Sequence, residues 1–248
     1  LNGTGISSAG ALIASTSTPT LTNAITLNSN TTIGGANNMI LNGSITDGGN
    51  AYSLTKAGAG TITLGANNSF SGGVTINTGT LAALNAGALG TAGAIAINNA
   101  AILSMNFGGN TLVNSSNITM GTTAALTSTA AAAVTDVLNN MITLNGTHTF
   151  TSTTATAQLT LNGDITNSAT NLTITGSGNT LITGTIGSNA GGITKSGTGT
   201  LTLTNANTYT GNTTISAGTL RATNTNALGT TGTISIATSS ILSLNLGG

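Results

Sequence analysis

Charge is almost missing from this sequence. Among 248 residues the ionisable set is Asp47, Asp136 and Asp164 against Lys56, Lys195 and Arg221, with His148 as the single imidazole, and the net charge is zero. Charged residues make up 2% of the chain, against about a quarter in an ordinary soluble domain. Three scattered cations cannot neutralise a run of phosphates, which argues against a nucleic-acid partner, and anionic membrane surfaces are excluded for the same reason. Cysteine is absent, so an exported form has to be stable without disulfides. A membrane-spanning helix needs about 20 mostly apolar residues. The nearest approach, "TAALTSTAAAAVTDVL" (Thr123 to Leu138), is broken by Thr, Ser and Asp136, so no direct membrane insertion is expected. Disorder is excluded as well, because 38% of the residues are apolar and net charge is nil. The chain reads as folded and soluble.

What is present is repetition. "LTKAGAGTITL" (Leu54 to Leu64) returns as "ITKSGTGTLTL" (Ile193 to Leu203), 139 residues later. "GTLAALNAGALGTAGAIAI" (Gly79 to Ile97) returns as "GTLRATNTNALGTTGTISI" (Gly218 to Ile236) at the same offset. Roughly half of the aligned residues are identical, which chance does not produce. Upstream the offset is shorter: "ITLNSNTTI" (Ile25 to Ile33) corresponds to "ITLNGTHTF" (Ile142 to Phe150), and "LNGSIT" (Leu41 to Thr46) to "LNGDIT" (Leu161 to Thr166). The second copy therefore carries about one extra coil, within "LTITGSGNTLITGTIG" (Leu172 to Gly187) and its flanks. The expected organisation is one continuous unit over 1–248, made of two related repeats at approximately 1–109 and 110–248.

Locally, short runs such as "TITL", "AIAI" and "LTLNGDI" alternate apolar with small or hydroxylated residues at period two, the signature of strands. Between them lie Gly, Asn and Asn-Gly pairs that accept the positive φ of tight turns. Strands this short, repeated this often, predict an all-β solenoid of stacked coils. The missing charge follows from that architecture. Stacked coils place equivalent residues about 4.8 Å apart, so like charges in one file would repel, whereas Thr suits strands and Asn can form amide ladders. The Ala-rich stretch from Ala124 to Val134 is expected to be coil or irregular turn.

The run "GITKSGTGTLTLTNANTYTGNTTISAGTL" (Gly192 to Leu220) closely resembles the autotransporter-associated β-strand repeat of bacterial autotransporter passengers and large secreted surface proteins. Its pattern is a lysine, paired glycines, alternating Leu and Thr, then Asn-Thr-Tyr-Thr-Gly and a closing Gly-Thr-Leu. "SLTKAGAGTITLGANNSFSGGVTINTGTL" (Ser53 to Leu81) follows it with Phe70 in place of Tyr209, and "LNGTGISSAGALI" (Leu1 to Ile13) resembles the coil placed upstream of the module. The two runs cover about a quarter of the chain, and their spacing is specific. The resemblance implies a right-handed parallel β-helix outside the cell, as a segment of a longer solenoid. The repeat is scaffold, so no passenger activity is implied by it. The start at Leu1 without an initiator Met and the end on "LSLNLGG" read as a segment cut from a longer polypeptide.

The repeat itself supplies the structural positions: Lys56 and Lys195, Gly58 and Gly197, Gly60 and Gly199, Phe70 and Tyr209, Gly72 and Gly211. Each lysine can be read as a ligand-binding cation, or as a structural ammonium that donates to turn carbonyls or meets its paired copy at a coil corner. The second reading is preferred, because the repeat dictates the residue. Catalysis is not expected. Glycoside hydrolysis needs two neighbouring carboxyl groups, and the three aspartates are far apart in sequence. A Ser-His-Asp set would rest on His148, an ordinary strand position in "NGTHTFT". No metal-ligand spacing and no cofactor motif occurs, and the glycines of "GTGISSAG" and "GAGTITLG" are turns rather than a phosphate loop, since no helix follows. Asn30, Asn114, Asn117, Asn171 and Asn212 head Asn-x-Ser/Thr triplets, as composition alone would produce. The Thr-x-Thr pairs Thr61/Thr63 and Thr200/Thr202 raise the question of an ice-binding face, but pairs look irregular along the sequence, which favours a strand-stabilising role.

The expected function is a non-catalytic structural or adhesive segment of a secreted bacterial surface protein, a stiff stalk or a self-associating fibre or sheath element. Self-association, lateral or end to end, is the expected partnership, with surface glycans or other cells as further candidate partners. The alternative is a ligand-binding adhesin with specificity in loops or flanking domains. More remote is a polysaccharide-degrading β-helix enzyme.

Overall fold

The computed structural model describes residues 1–5, 10–167, 170–187 and 191–246. Part of "GTGISSAG" and of the upstream run Leu1 to Ile13, and the last two residues of "LSLNLGG", lie outside the described residues. Every named strand pair is parallel, and the strands fall into sheets of eight, eleven, six and two members. The first three sheets are built from successive passes of the chain rather than from hairpins. One turn runs from Ile118–Met120 on a first face to Ala125–Ser128 on a second and Thr135–Leu138 on a third, then returns to the first face at Ile142–Leu144, beside its starting point. The two-stranded sheet, Ile25–Thr26 with Ile45–Thr46, occupies the third face of the early turns. The chain is therefore a parallel β-helix.

Between paired strands a turn takes 19 residues at its shortest, from Thr61 to Thr80, and 24 at its longest, from Ile118 to Ile142, while the isolated parallel bridge of Thr111 with Val137 spans 26. Strands stay short, from two to five residues, and the corners absorb most of the difference. Period-two alternation does the folding. In Thr61–Leu64, Ile62 and Leu64 are buried while Thr61 and Thr63 face outward, and Ile102–Met105, Asn179–Ile182 and Thr200–Leu203 repeat the scheme. The inward Ile, Leu, Val and Met side chains pile into one continuous core along the axis. Each contributes about 1.5–3 kcal/mol from burial, against the entropy of fixing a turn of backbone.

The Ala-rich stretch differs from expectation. Ala125–Ser128 is a full strand of the second face, with Leu126 and Ser128 buried, and only the residues after it form the turn that leads to Thr135–Leu138. Alanine has low strand propensity, but a neighbouring ladder on each side supplies the pairing that propensity lacks.

The two repeats do not lie on the same side of the helix. Lys56 ends the first-face strand Leu54–Lys56, between Ile33 and Ile76 of the adjoining turns. Lys195 ends the second-face strand Ile193–Lys195, between Ile174 and Ile215. Followed backward, the file of Lys195 passes Ile174, Phe150, Leu126, Leu103 and Leu81 to reach Ile62, the face after Lys56, six turns earlier. The second repeat thus sits six turns and one further face along. The upstream matches show the same rotation: Ile25 and Ile45 are on the third face, Ile142 and Ile165 on the first.

Candidate functional site

The sites that the repeat builds are corner sockets. Lys56 begins in an inward strand position, is 1% exposed, and turns its ammonium into the bend after its strand. There Nζ donates to the carbonyls of Ala57 (3.1 Å), Gly58 (2.7 Å) and, from the next turn, Thr78 (2.9 Å). Lys195 makes the same set to Ser196 (2.7 Å), Gly197 (2.9 Å) and Ala217 (3.4 Å). The lysines do not meet each other; they are six turns apart. Each cross-turn bond ties two coils at the corner where strands give no ladder.

Gly58 and Gly197 shape these bends with φ of +77° and +76°. A Cβ on Gly58 would run into the backbone of Gly35, and one on Gly60 or Gly199 into the carbonyl of Asn37 or Gly178 in the preceding turn. Burial pulls both lysine pKa values down to about 8. All three ammonium protons have carbonyl acceptors, so the amine is neither free as a nucleophile nor open to an anionic ligand.

A second socket follows two faces later, in the first repeat at the end of the third face, where the Ser69 amide donates to the Ile45 carbonyl. Phe70 and Tyr209 are both fully buried. Gly90 and Gly229 of the next turn lie flat against the rings, and any Cβ there would strike the ring carbons. Gly72 also sits where a Cβ would meet the turn before, at Ala51, and the Gly211 amide donates to Gly191 at 3.2 Å. Sequence reading did not single out the buried asparagines beside these rings. Asn68 accepts from the Ile45 amide (2.8 Å) and donates to the Ala88 carbonyl (2.6 Å). Asn207 does the same with Ile186 (2.8 Å) and Ala227 (2.6 Å). Each side chain replaces a missing rung of ladder between three turns. The signal was the asparagine that opens both Asn-Ser-Phe and Asn-Thr-Tyr.

The three aspartates and the histidine are separately absorbed, whereas Arg221 points outward from the third face. Asp47 accepts from the amides of Gly49 and Ser71, both at 2.9 Å. Burial alone would raise its pKa, but these bonds and the Ser71 hydroxyl outweigh it and hold the carboxyl below its ordinary value. Asp136, inward and fully buried, accepts from the Phe107 amide (2.9 Å) and the Ser128 hydroxyl (3.1 Å). Asp164 accepts from the Thr185 amide (2.8 Å). His148 faces inward on His148–Ser152, and its Nδ1 donates to the Ala124 carbonyl at 3.0 Å. Burial lowers its pKa although that carbonyl opposes the shift. Among the described residues no three His, Asp or Glu side chains converge as a metal set would require.

Residues 54–83 and 193–222 each match the family model of the passenger-associated-transport repeat. They contain both lysine corners and both aromatic sockets. No curated protein and no solved structure matches the chain.

Proposed function

We propose that this parallel β-helix, which carries two passenger-associated-transport repeats, is a non-catalytic structural segment of a bacterial surface or secreted protein, acting as a stiff spacer that associates with like surfaces. The repeat is that of autotransporter passengers and points to a secreted or surface-exposed protein. The observation that carries the spacer role is the unbroken second face, where eleven strands from eleven successive turns pair in parallel. At about 4.8 Å per turn this stack is about 50 Å long. Its corner groups are tied inward: the lysine ammoniums and the buried Asn68 and Asn207 side chains bond to the coil itself. What faces outward is mostly uncharged, so nothing repels a second rod laid alongside.

Small-angle scattering of the purified chain tests the reading. A rod whose long axis matches the stack, with side-by-side assembly as concentration rises, supports it. A compact, equiaxial particle that stays monomeric at every concentration contradicts it.

A further inference from the structure

The second face carries a second kind of order, on its outer side. Outward residues of successive strands stand one above the other, in two files set by the strand register. One file runs Thr149, Thr173, Thr194 and Thr214. Its neighbour runs Thr151, Thr175, Ser196 and Ser216, the last two placed by the ladder bonds Ser196 to Ile174 and Ser216 to Lys195. Four consecutive turns therefore carry a hydroxyl pair, and in three of them both hydroxyls are left over, since in the fourth the Ser216 hydroxyl donates to the Lys195 carbonyl at 3.1 Å. Earlier turns continue the files with Thr61/Thr63, Thr80/Ala82, Ile102/Ser104 and Ala125/Thr127. The pairs look irregular in the sequence because turn length varies between 19 and 24 residues; in space they are aligned.

The hydroxyls of these threonines are free. Thr129, Thr153, Thr204 and Thr223, at corners, donate to carbonyls of the preceding turn. Among the described residues none bonds to the Oγ1 of Thr127, Thr149, Thr151, Thr173, Thr175, Thr194 or Thr214. They leave a mesh of hydroxyl and methyl groups, about 4.8 Å along the axis by about 6.7 Å along the strands. The β-branch holds each group at a fixed χ1, so little entropy is lost on contact with a rigid partner.

The composition of the mesh selects its partner. Sugars are gripped by stacked aromatic rings and forked polar side chains, and the two files contain neither. The third face does carry bulky and charged outward groups, Gln158, Leu181 and Arg221. A mesh of uncharged hydroxyls and methyls at fixed spacing matches ordered water, whose lattice on crystal faces repeats on the same scale. We infer that the second face binds ice, with Thr149, Thr151, Thr173, Thr175, Thr194 and Thr214 at its centre. This function stands on the geometry of one face and is independent of the spacer role.

Ice-affinity partitioning tests it: the purified chain is frozen slowly onto a cold finger, and the fraction taken into the ice is measured. The parent chain is expected in the ice at several times the level of a folded non-binding protein. Thr151→Tyr with Thr173→Tyr, outward on the same face, is expected to fall to background with its thermal midpoint kept. Thr143→Tyr on the first face is expected to partition like the parent. If the tyrosine pair melts early, Thr151→Lys with Thr173→Lys gives the same reading. Exclusion of the parent chain from ice overturns the inference, as does equal loss in the first-face variant. So does retention on crystalline chitin or cellulose that the double variant loses while partitioning into ice stays at background.

Discussion

Tyr209 and Thr213 share a buried hydrogen bond of 2.7 Å between hydroxyls, where the first repeat has Phe70 and Val74, both buried and both apolar. The socket is the same; the pair changes together. A polar pair buried with both partners satisfied is tolerated, and one partner alone is not. Thr213→Val should therefore cost about 1–3 kcal/mol by stranding the Tyr209 hydroxyl, while Tyr209→Phe with Thr213→Val should come back to within about 1 kcal/mol of the parent. Urea unfolding of the single and double variants measures the coupling. Additive losses would show that the pair is not a unit.

The lysine corners give a second prediction. Lys56→Met keeps the stem and removes the ammonium, leaving the Ala57, Gly58 and Thr78 carbonyls without their donor. A loss of about 2–4 kcal/mol is expected. Lys195→Met should lose a similar amount although it lies on another face, and the two losses should add, since the sites are six turns apart. Denaturant midpoints measure both. Markedly unequal losses would mean that the face, not the corner, sets the environment.

The same lysines shape the pH dependence. Between about 8 and 10.5 the folded chain holds fewer protons than the unfolded one, so stability rises with pH across that window and is lost as pH falls through 8. Tyr209 acts in the opposite sense. Burial raises its pKa to about 12 from 10.0, so stability falls as pH climbs from 10. His148, shifted below 6.5, stays neutral in the fold, and stability falls once pH drops under 6.5. The thermal midpoint should be nearly level from pH 6.5 to 8 and rise from 8 towards 10. The rise should vanish in Lys56→Met with Lys195→Met; a fall over that interval in the parent would contradict the assignment.

Gly90 offers a test of the aromatic socket. Its φ of +77° already disfavours a side chain, and a Cβ would press on the Phe70 ring. Gly90→Ala should destabilise by more than about 1 kcal/mol, and Gly229→Ala against Tyr209 by a similar amount. Gly49, also at positive φ but with open space around its Cβ, should suffer less from the same change. Thermal melts of the three variants give the ranking.

Much of this fold could be read from the residues, and the gaps have physical reasons. Period-two alternation and Asn-Gly turns announce short stacked strands, and the offset of Lys56 from Lys195 announces the repeat. The one-face rotation was hidden, because a residue count does not say where a corner falls when turns vary in length. Ala125–Ser128 was missed because its strand is imposed by neighbours above and below rather than by its own propensity. The aligned threonines were hidden for the first reason: Thr151 and Thr175 look unrelated in sequence and adjoin in space. His148 and Asp136 sit at inward positions of alternating strands, and their partners, the Ala124 carbonyl and the Phe107 amide, come from the preceding turn, which no local pattern names.

The turns stack in register with the second repeat advanced by one face, and in a cysteine-free chain paired substitution tests this directly. Thr173→Cys with Thr194→Cys places two thiols on adjoining second-face strands, within the reach of a disulfide. Thr166→Cys with Thr194→Cys would adjoin only if the second repeat began on the first face, as the first repeat does. Oxidative cross-linking followed by electrophoresis and peptide mapping should show the first pair closing readily and the second staying open. Closure of the Thr166–Thr194 pair, with the Thr173–Thr194 pair left reduced, would place the second repeat on the first face instead.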